Sequence, residues 1–201
     1  TARSLHGLRR AVEAAGYATW ARTYPSRRRD LHTLSAELSD QIHDAFGDAP
    51  LWAVTHSMGG ILARYMNARI RWNGLVMIAP PNQGSRMAHR LSKNPVFSWY
   101  FGPAGIELAE PDGWPVPPTP CGVIAGTGRL TFGNPTSWLA RGLTVFAADE
   151  SSDGTLATSE TCVEGMPDYA EVSASHTWIM RHPRTRALVL QFLRTGSFEG
   201  G

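Results

Sequence analysis

Lysine is almost missing from this chain: Lys93 stands alone among 19 basic residues, the rest being arginine. Cysteine is scarce too, at two residues, Cys121 and Cys162. Two thiols allow one disulfide but no framework, and their spacing fits no metal motif, so buried free thiols are expected. Excess charge of one sign is also absent, the formal net charge being +2. Such a balance gives no long-range field for a polyanion and argues against a nucleic-acid partner. The one dense basic run, Arg27-Arg28-Arg29, follows the turn residues Pro25-Ser26 and reads as a solvated loop. No apolar run approaches the roughly 20 residues of a membrane helix; the longest, from Gly74 to Pro81, has core-strand length. A soluble protein is expected, with the cytoplasm favoured over secretion. The chain opens on Thr1 without a basic-then-apolar leader, so that either a leader has been removed or the chain starts partway into a larger one.

What is present is a single domain of 201 residues, 42% hydrophobic, long enough to bury a sizeable core. Leu5, Leu8, Val12 and Ala15 recur at helical spacing over residues 2 to 15 and stop at Gly16. Tyr17 to Tyr24, rich in aromatic and β-branched residues, reads as a strand. Leu31, Leu34, Leu38, Ile42 and Phe46 mark a second helix, and Leu51 to Thr55 a strand apolar enough to be buried on both faces. A third helix from about Gly59 to Arg71 and a strand from Leu75 to Ala79 follow. This alternation predicts a doubly wound, mostly parallel α/β sheet with right-handed crossovers. Residues 86 to 120 break the rhythm with Phe97, Trp99, Tyr100 and Phe101, then five prolines between Pro111 and Pro120, and read as a cap inserted in a single domain spanning 1 to 201. Strands are expected again at Cys121 to Ala125, Leu143 to Ala147 and Ala170 to Ala174, with a last helix from Pro183 to Arg194.

The chemistry concentrates in Val54-Thr55-His56-Ser57-Met58-Gly59-Gly60, an apolar strand running into a serine, two glycines and a helix. A nucleophile needs such a tight strand-to-helix turn, where small neighbours let the helix pass close to the strand and the Met58 N–H points to where an oxyanion would form. Thr55 stands where the usual G-x-S-x-G pattern has its first glycine. Helix capping is the competing use of Ser57. A base and an acid must come from downstream. His176 falls between the last strand and the last helix, whereas His182 abuts Pro183 at a helix start and suits capping. Asp153, in the turn Ser152-Asp153-Gly154, is the favoured acid, with Asp149 its rival.

These segments, with Tyr24-Pro25-Ser26 and Ala79-Pro80-Pro81-Asn82-Gln83-Gly84-Ser85, resemble the α/β-hydrolase superfamily, in particular bacterial esterases and lipases related to triacylglycerol lipases. The resemblance runs over most of the chain. It implies Ser57 as nucleophile, His176 as base, Asp153 as acid and Met58 as one oxyanion donor, acting on a small-molecule ester or lipid without metal or cofactor. The inserted segment itself reads as a cap in which Phe97, Trp99, Phe101 and Trp114 line an acyl site, ordinary packing of these aromatics being the alternative, and His56 is a further candidate substrate contact. The family's second oxyanion donor comes from a His-Gly loop after a strand that would lie between Tyr17 to Tyr24 and Leu51 to Thr55. His6-Gly7, inside a helical pattern, does not supply it, so an N-terminally truncated domain is expected. An acyltransferase or amidase using the same residues, or a silent lipid-binding domain, are the alternatives.

Overall fold

The computed structural model describes residues 2–94, 102–128, 145–147, 149–163 and 168–199. Its centre is a sheet of four parallel strands in the order β1 (Leu51–His56), β2 (Trp72–Ile78), β3 (Cys121–Gly126) and β4 (Asp168–Val172). Side chains alternate across these strands. Ala53, Leu75, Met77, Cys121 and Val123 enter one apolar cluster, and Val76, Ile78, Ile124 and Val172 another. Helices cover both faces, as a doubly wound fold requires: α2 (Leu31–Phe46) and α3 (Met58–Met66) join the first cluster, α1 (His6–Ala14) and α6 (Pro183–Thr195) the second. Short helices, among them α4 (Arg86–Leu91) and α5 (Thr158–Thr161), lie in the connections.

Local sequence explains where the long helices begin and end. Asp30 caps α2 by accepting the Thr33 N–H at 2.7 Å, and these Thr33 bonds hold its carboxyl below the usual range. Leu31, Leu34, Leu38 and Ile42 are buried at helical spacing, and Gly47, at φ 59°, ends the element. Pro183 opens α6 and Gly196, at φ 77°, closes it, matching the expected last helix. Helix α3 stops five residues short of the expected Arg71, where the Asn67 N–H donates to the Arg64 carbonyl and the Arg69 N–H to the Met66 carbonyl, each three residues back, at 3.2 and 2.9 Å, a tighter turn than an α-helix.

Two expected strands are corrected. Tyr17 to Tyr24 forms no strand, since a cavity keeps it from the outer edge of β1, the edge strand on its side of the sheet. It is held by side chains instead: Tyr17 and Trp20 pack on the two clusters, and the Tyr17 hydroxyl donates to the Leu193 carbonyl at 3.0 Å. A cavity of about 370 Å³, lined by apolar residues including Trp20, Leu51, Trp52 and Trp72, separates it from β1. Of Leu143 to Ala147, residues 145–147 are described and have no strand conformation, while 143 and 144 lie outside the described residues. β4 begins two residues earlier than expected, in register with Gly122 to Gly126 of β3.

Both cysteines are free thiols. Cys121 is buried, which pushes its thiol up to about 12, and Cys162 is half-buried. Among the described residues, no helix is long and apolar enough to cross a membrane.

Candidate active site

Ser57 sits between the end of β1 and the start of α3 with φ 56° and ψ −131°, a backbone conformation that L-residues rarely adopt. Its N–H donates to the Ile78 carbonyl at 2.8 Å, fixing the turn to the neighbouring strand. The side chain makes no capping bond, so capping is not what this serine does. Its hydroxyl lies 3.0 Å from Nε2 of His176. Met58 is the first residue of α3, and its N–H belongs to the turn that has no intrahelical acceptor.

The two glycines are not equivalent. A Cβ on Gly60 would stand 3.0 Å from the Met77 sulfur and 3.2 Å from Pro80 Cβ, a tight fit for which these neighbours would have to give by a few tenths of an ångström. A Cβ on Gly59 would meet Thr55 Cβ at an ordinary 3.5 Å. Thr55 therefore fits where the sequence pattern has glycine, and its hydroxyl donates to the Val76 carbonyl at 3.2 Å.

On its other side the His176 ring places Nδ1 2.6 Å from Oδ2 of Asp153. Asp153 is 1% exposed, and its second oxygen accepts the N–H groups of Thr155 and Leu156 at 2.9 and 2.7 Å. The His176 N–H donates to the Asp153 carbonyl at 3.0 Å, so backbone and side chain both bind the two loops together. Asp149 is exposed and has no bond to His176. Gly126, at the end of β3, makes this approach possible: a Cβ there would lie 2.7 Å from Asp153 Cβ and from the Ala174 carbonyl.

His56 is turned toward the same loop. Its Nε2 meets the His176 carbonyl at 3.0 Å and its ring packs 4.8 Å from the His176 ring. A carbonyl only accepts, so Nε2 carries the proton and donates. Burial first, then the neighbouring His176 charge, hold the His56 imidazole well below its ordinary pKa and keep it neutral. Its hydrogen-bond partner is the His176 loop. Trp114 lies under the Arg64 guanidinium, 5.7 Å from the ring centre, against the first core cluster. Phe97, Trp99 and Phe101 lie outside the described residues.

Sequence reasoning missed a buried polar cluster beside this centre. Arg64 of α3 is 6% exposed and donates to the carbonyls of Pro115 and Trp114 and to Oδ1 of Asn82 at 2.5, 3.3 and 3.1 Å. The Asn82 amide passes the link to the Thr161 carbonyl at 2.9 Å. Buried Glu160 accepts the N–H groups of Ala157 and Arg86 at 2.6 and 2.5 Å, and burial outweighs these bonds to raise its carboxyl above the usual value. The polar residues Asn82 and Ser85 between two apolar elements were the available signal.

A hydroxyl, an imidazole and a buried carboxylate in one line can move a proton off the hydroxyl and spread the resulting charge. No protein-family model matches the sequence, and no curated protein matches it. Solved structures do. The mature lipase BlEst2 of Bacillus licheniformis aligns with a TM-score of 0.67 at 18% identity over 92% of this chain and 81% of its own. The chain has the α/β-hydrolase fold. Two further structures share it. Phospholipase PlaB of Legionella pneumophila, in complex with thio-NAD, aligns with a TM-score of 0.67 at 14% identity over 97% of this chain and 55% of its own. The metagenomic carboxyl esterase MGS0156 aligns with a TM-score of 0.61 at 16% identity over 86% and 58%. Within the α/β-hydrolase fold, the line of Ser57, His176 and Asp153 lies where β1, β3 and β4 hand over to the segments that follow them.

Proposed function

We propose that this chain is a serine hydrolase of carboxylic esters. The observation that carries the reading is the continuous line from the Ser57 hydroxyl through the His176 ring to the buried Asp153 carboxylate, with contacts of 3.0 and 2.6 Å. In this reading Ser57 Oγ attacks the ester carbonyl carbon while His176 Nε2 takes the hydroxyl proton. Asp153 holds Nδ1–H and offsets the imidazolium charge. The Met58 N–H stabilises the oxyanion that forms on the carbonyl oxygen. Collapse expels the alcohol, protonated by His176, and leaves an acyl group on Ser57. Water, deprotonated by the same imidazole, then attacks the acyl carbonyl and frees the acid. As the resulting intermediate collapses the acyl–Oγ bond breaks, and Nε2 returns its proton to Ser57 Oγ, which restores the starting hydroxyl.

A small ester or a lipid is the substrate class, in keeping with a lipase, a phospholipase and a carboxyl esterase among the structural neighbours. The test is hydrolysis of p-nitrophenyl butyrate together with labelling by a fluorophosphonate. Turnover and a label on Ser57 are expected, and Ser57→Ala abolishes both, a drop in kcat of about a million-fold as for other serine nucleophiles. A chain that neither turns over the ester nor takes the label is not a serine hydrolase.

A further inference from the structure

The near-neutral balance of the whole chain hides a segregation of charge. The 3-10 turn Ala2–Leu5, α1, the 3-10 turn Ile179–Arg181 and α6 pack side by side over one face of the sheet, sharing Leu8, Val12, Ile179, Met180, Val189 and Phe192 in one cluster. Their outward sides therefore form one face of the molecule. Residues 2–14 and 178–195 hold seven arginines and one carboxylate, Glu13, a net charge of +6, so the rest of the chain is net −4. Glu13 is already engaged by Arg9 at 3.1 Å and by the Thr19 hydroxyl. Arg3, Arg10, Arg181 and Arg184 are exposed and have no carboxylate within salt-bridge distance among the described residues.

An aromatic ring stands in this basic face. Trp178 is 38% exposed, one side of its ring covered by the Arg181 guanidinium at 4.4 Å. It lies two residues after His176, and its N–H donates to the Ser175 carbonyl, so the face borders the loop that carries the imidazole. We propose that this arginine face docks the protein on an anionic phospholipid surface, with Trp178 entering the headgroup layer beside the active site. Arginines supply attraction to the headgroups, and an indole, apolar with one polar N–H, suits the boundary between headgroups and acyl chains. Nucleic acid is the competing polyanion, and Arg181 already covers one of the two ring faces on which a base could stack. The inference concerns binding and stands apart from the hydrolase reading.

The experiment is co-sedimentation of the full chain with vesicles of ether-linked phosphatidylcholine, alone and mixed with ether-linked phosphatidylglycerol. Ether lipids contain no carboxylic ester, so binding is read whether or not Ser57 reacts. Pelleting should require the anionic lipid and fade with added salt. Each surface arginine changes partition about five-fold, so Arg10→Glu with Arg184→Glu should lower it at least about 30-fold. Arg71→Glu with Arg90→Glu, the same charge change on exposed arginines outside the face, should leave it within about three-fold. Trp178→Ala should weaken what binding survives in salt. Should the double variant fail to fold, Arg10→Gln and Arg184→Gln alone, at about five-fold each, serve the same purpose. Equal pelleting on neutral vesicles, equal loss in both double variants, no pelleting, or tighter binding to a single-stranded RNA than to the vesicles overturns the proposal.

Discussion

At the scale of single residues, the candidate site depends on a side chain that does not take part in the proposed proton transfer. His56 supports the His176 loop only as a neutral donor, because its acceptor is a carbonyl and its surroundings exclude charge. The consequence for stability has a definite sign. The folded pKa lies below the ordinary 6.5 that the unfolded chain retains, so above about that pH both states are neutral and stability is full. As pH falls below it, the unfolded chain binds a proton the folded one resists, and stability declines toward the folded pKa. His56→Gln keeps an N–H donor without an ionisable ring, so its Tm should vary less than that of the parent between pH 7 and pH 5. Melting curves across that range check this, and parallel curves for the two proteins refute it. None of this was readable in the sequence, where His56 is one more residue beside the serine. Its partner lies 120 positions away.

Elements were legible where one signal decides them. Apolar runs gave β1 and β2, and the spacing of Leu31, Leu34, Leu38 and Ile42, with Asp30 ahead and Gly47 behind, defined α2. Tyr17 to Tyr24 was misread because strand propensity is realised only against a partner edge, which a local window does not contain. Glycines show the same limit. Gly59 and Gly60 look alike in sequence, and Gly126 carries no local signal, yet contacts separate the three. Gly59→Ala should be tolerated and gain up to about 1 kcal/mol from helix propensity. Gly126→Ala places its methyl 2.7 Å from Asp153 Cβ and from backbone at Ala174, neither of which is a flexible side-chain end. It should cost about 1 to 3 kcal/mol and shift the carboxylate that orients His176. Thermal melts with ester turnover measured well below Tm separate the effects: Gly126→Ala loses activity while still folded, and Gly59→Ala melts no earlier than the parent. Full activity in Gly126→Ala would show that Asp153 is not held by this packing.

At the scale of the whole molecule, composition concealed two organising features. One is the charge asymmetry, invisible in a net charge of +2. The other is Arg64, which appears in sequence as the basic end of a helix but is a buried cation with three neutral acceptors. Through it α3, which begins at the candidate nucleophile, is tied to the proline-rich segment at 114–115, and through Asn82 to α5. A buried guanidinium bonded, among the described residues, to neutral groups alone carries a desolvation cost, and burial lowers its pKa accordingly. Its hydrogen bonds join α3 to the proline-rich segment in addition to the apolar contact that Trp114 makes with the first core cluster. Arg64→Leu keeps much of the stem volume and removes every one of these donors from the buried Asn82 oxygen and the half-buried Trp114 and Pro115 carbonyls. The expected loss is about 2 to 4 kcal/mol, or roughly 4 to 16 °C in Tm for a domain of this size. Arg64→Lys should recover part of the loss, since one ammonium can reach some of three acceptors that a planar guanidinium reaches together. If calorimetry found Arg64→Leu as stable as the parent, apolar packing alone would hold the proline-rich segment. If Arg64→Lys melted no higher than Arg64→Leu, the geometry of the fork, and not the charge, would be what the site requires.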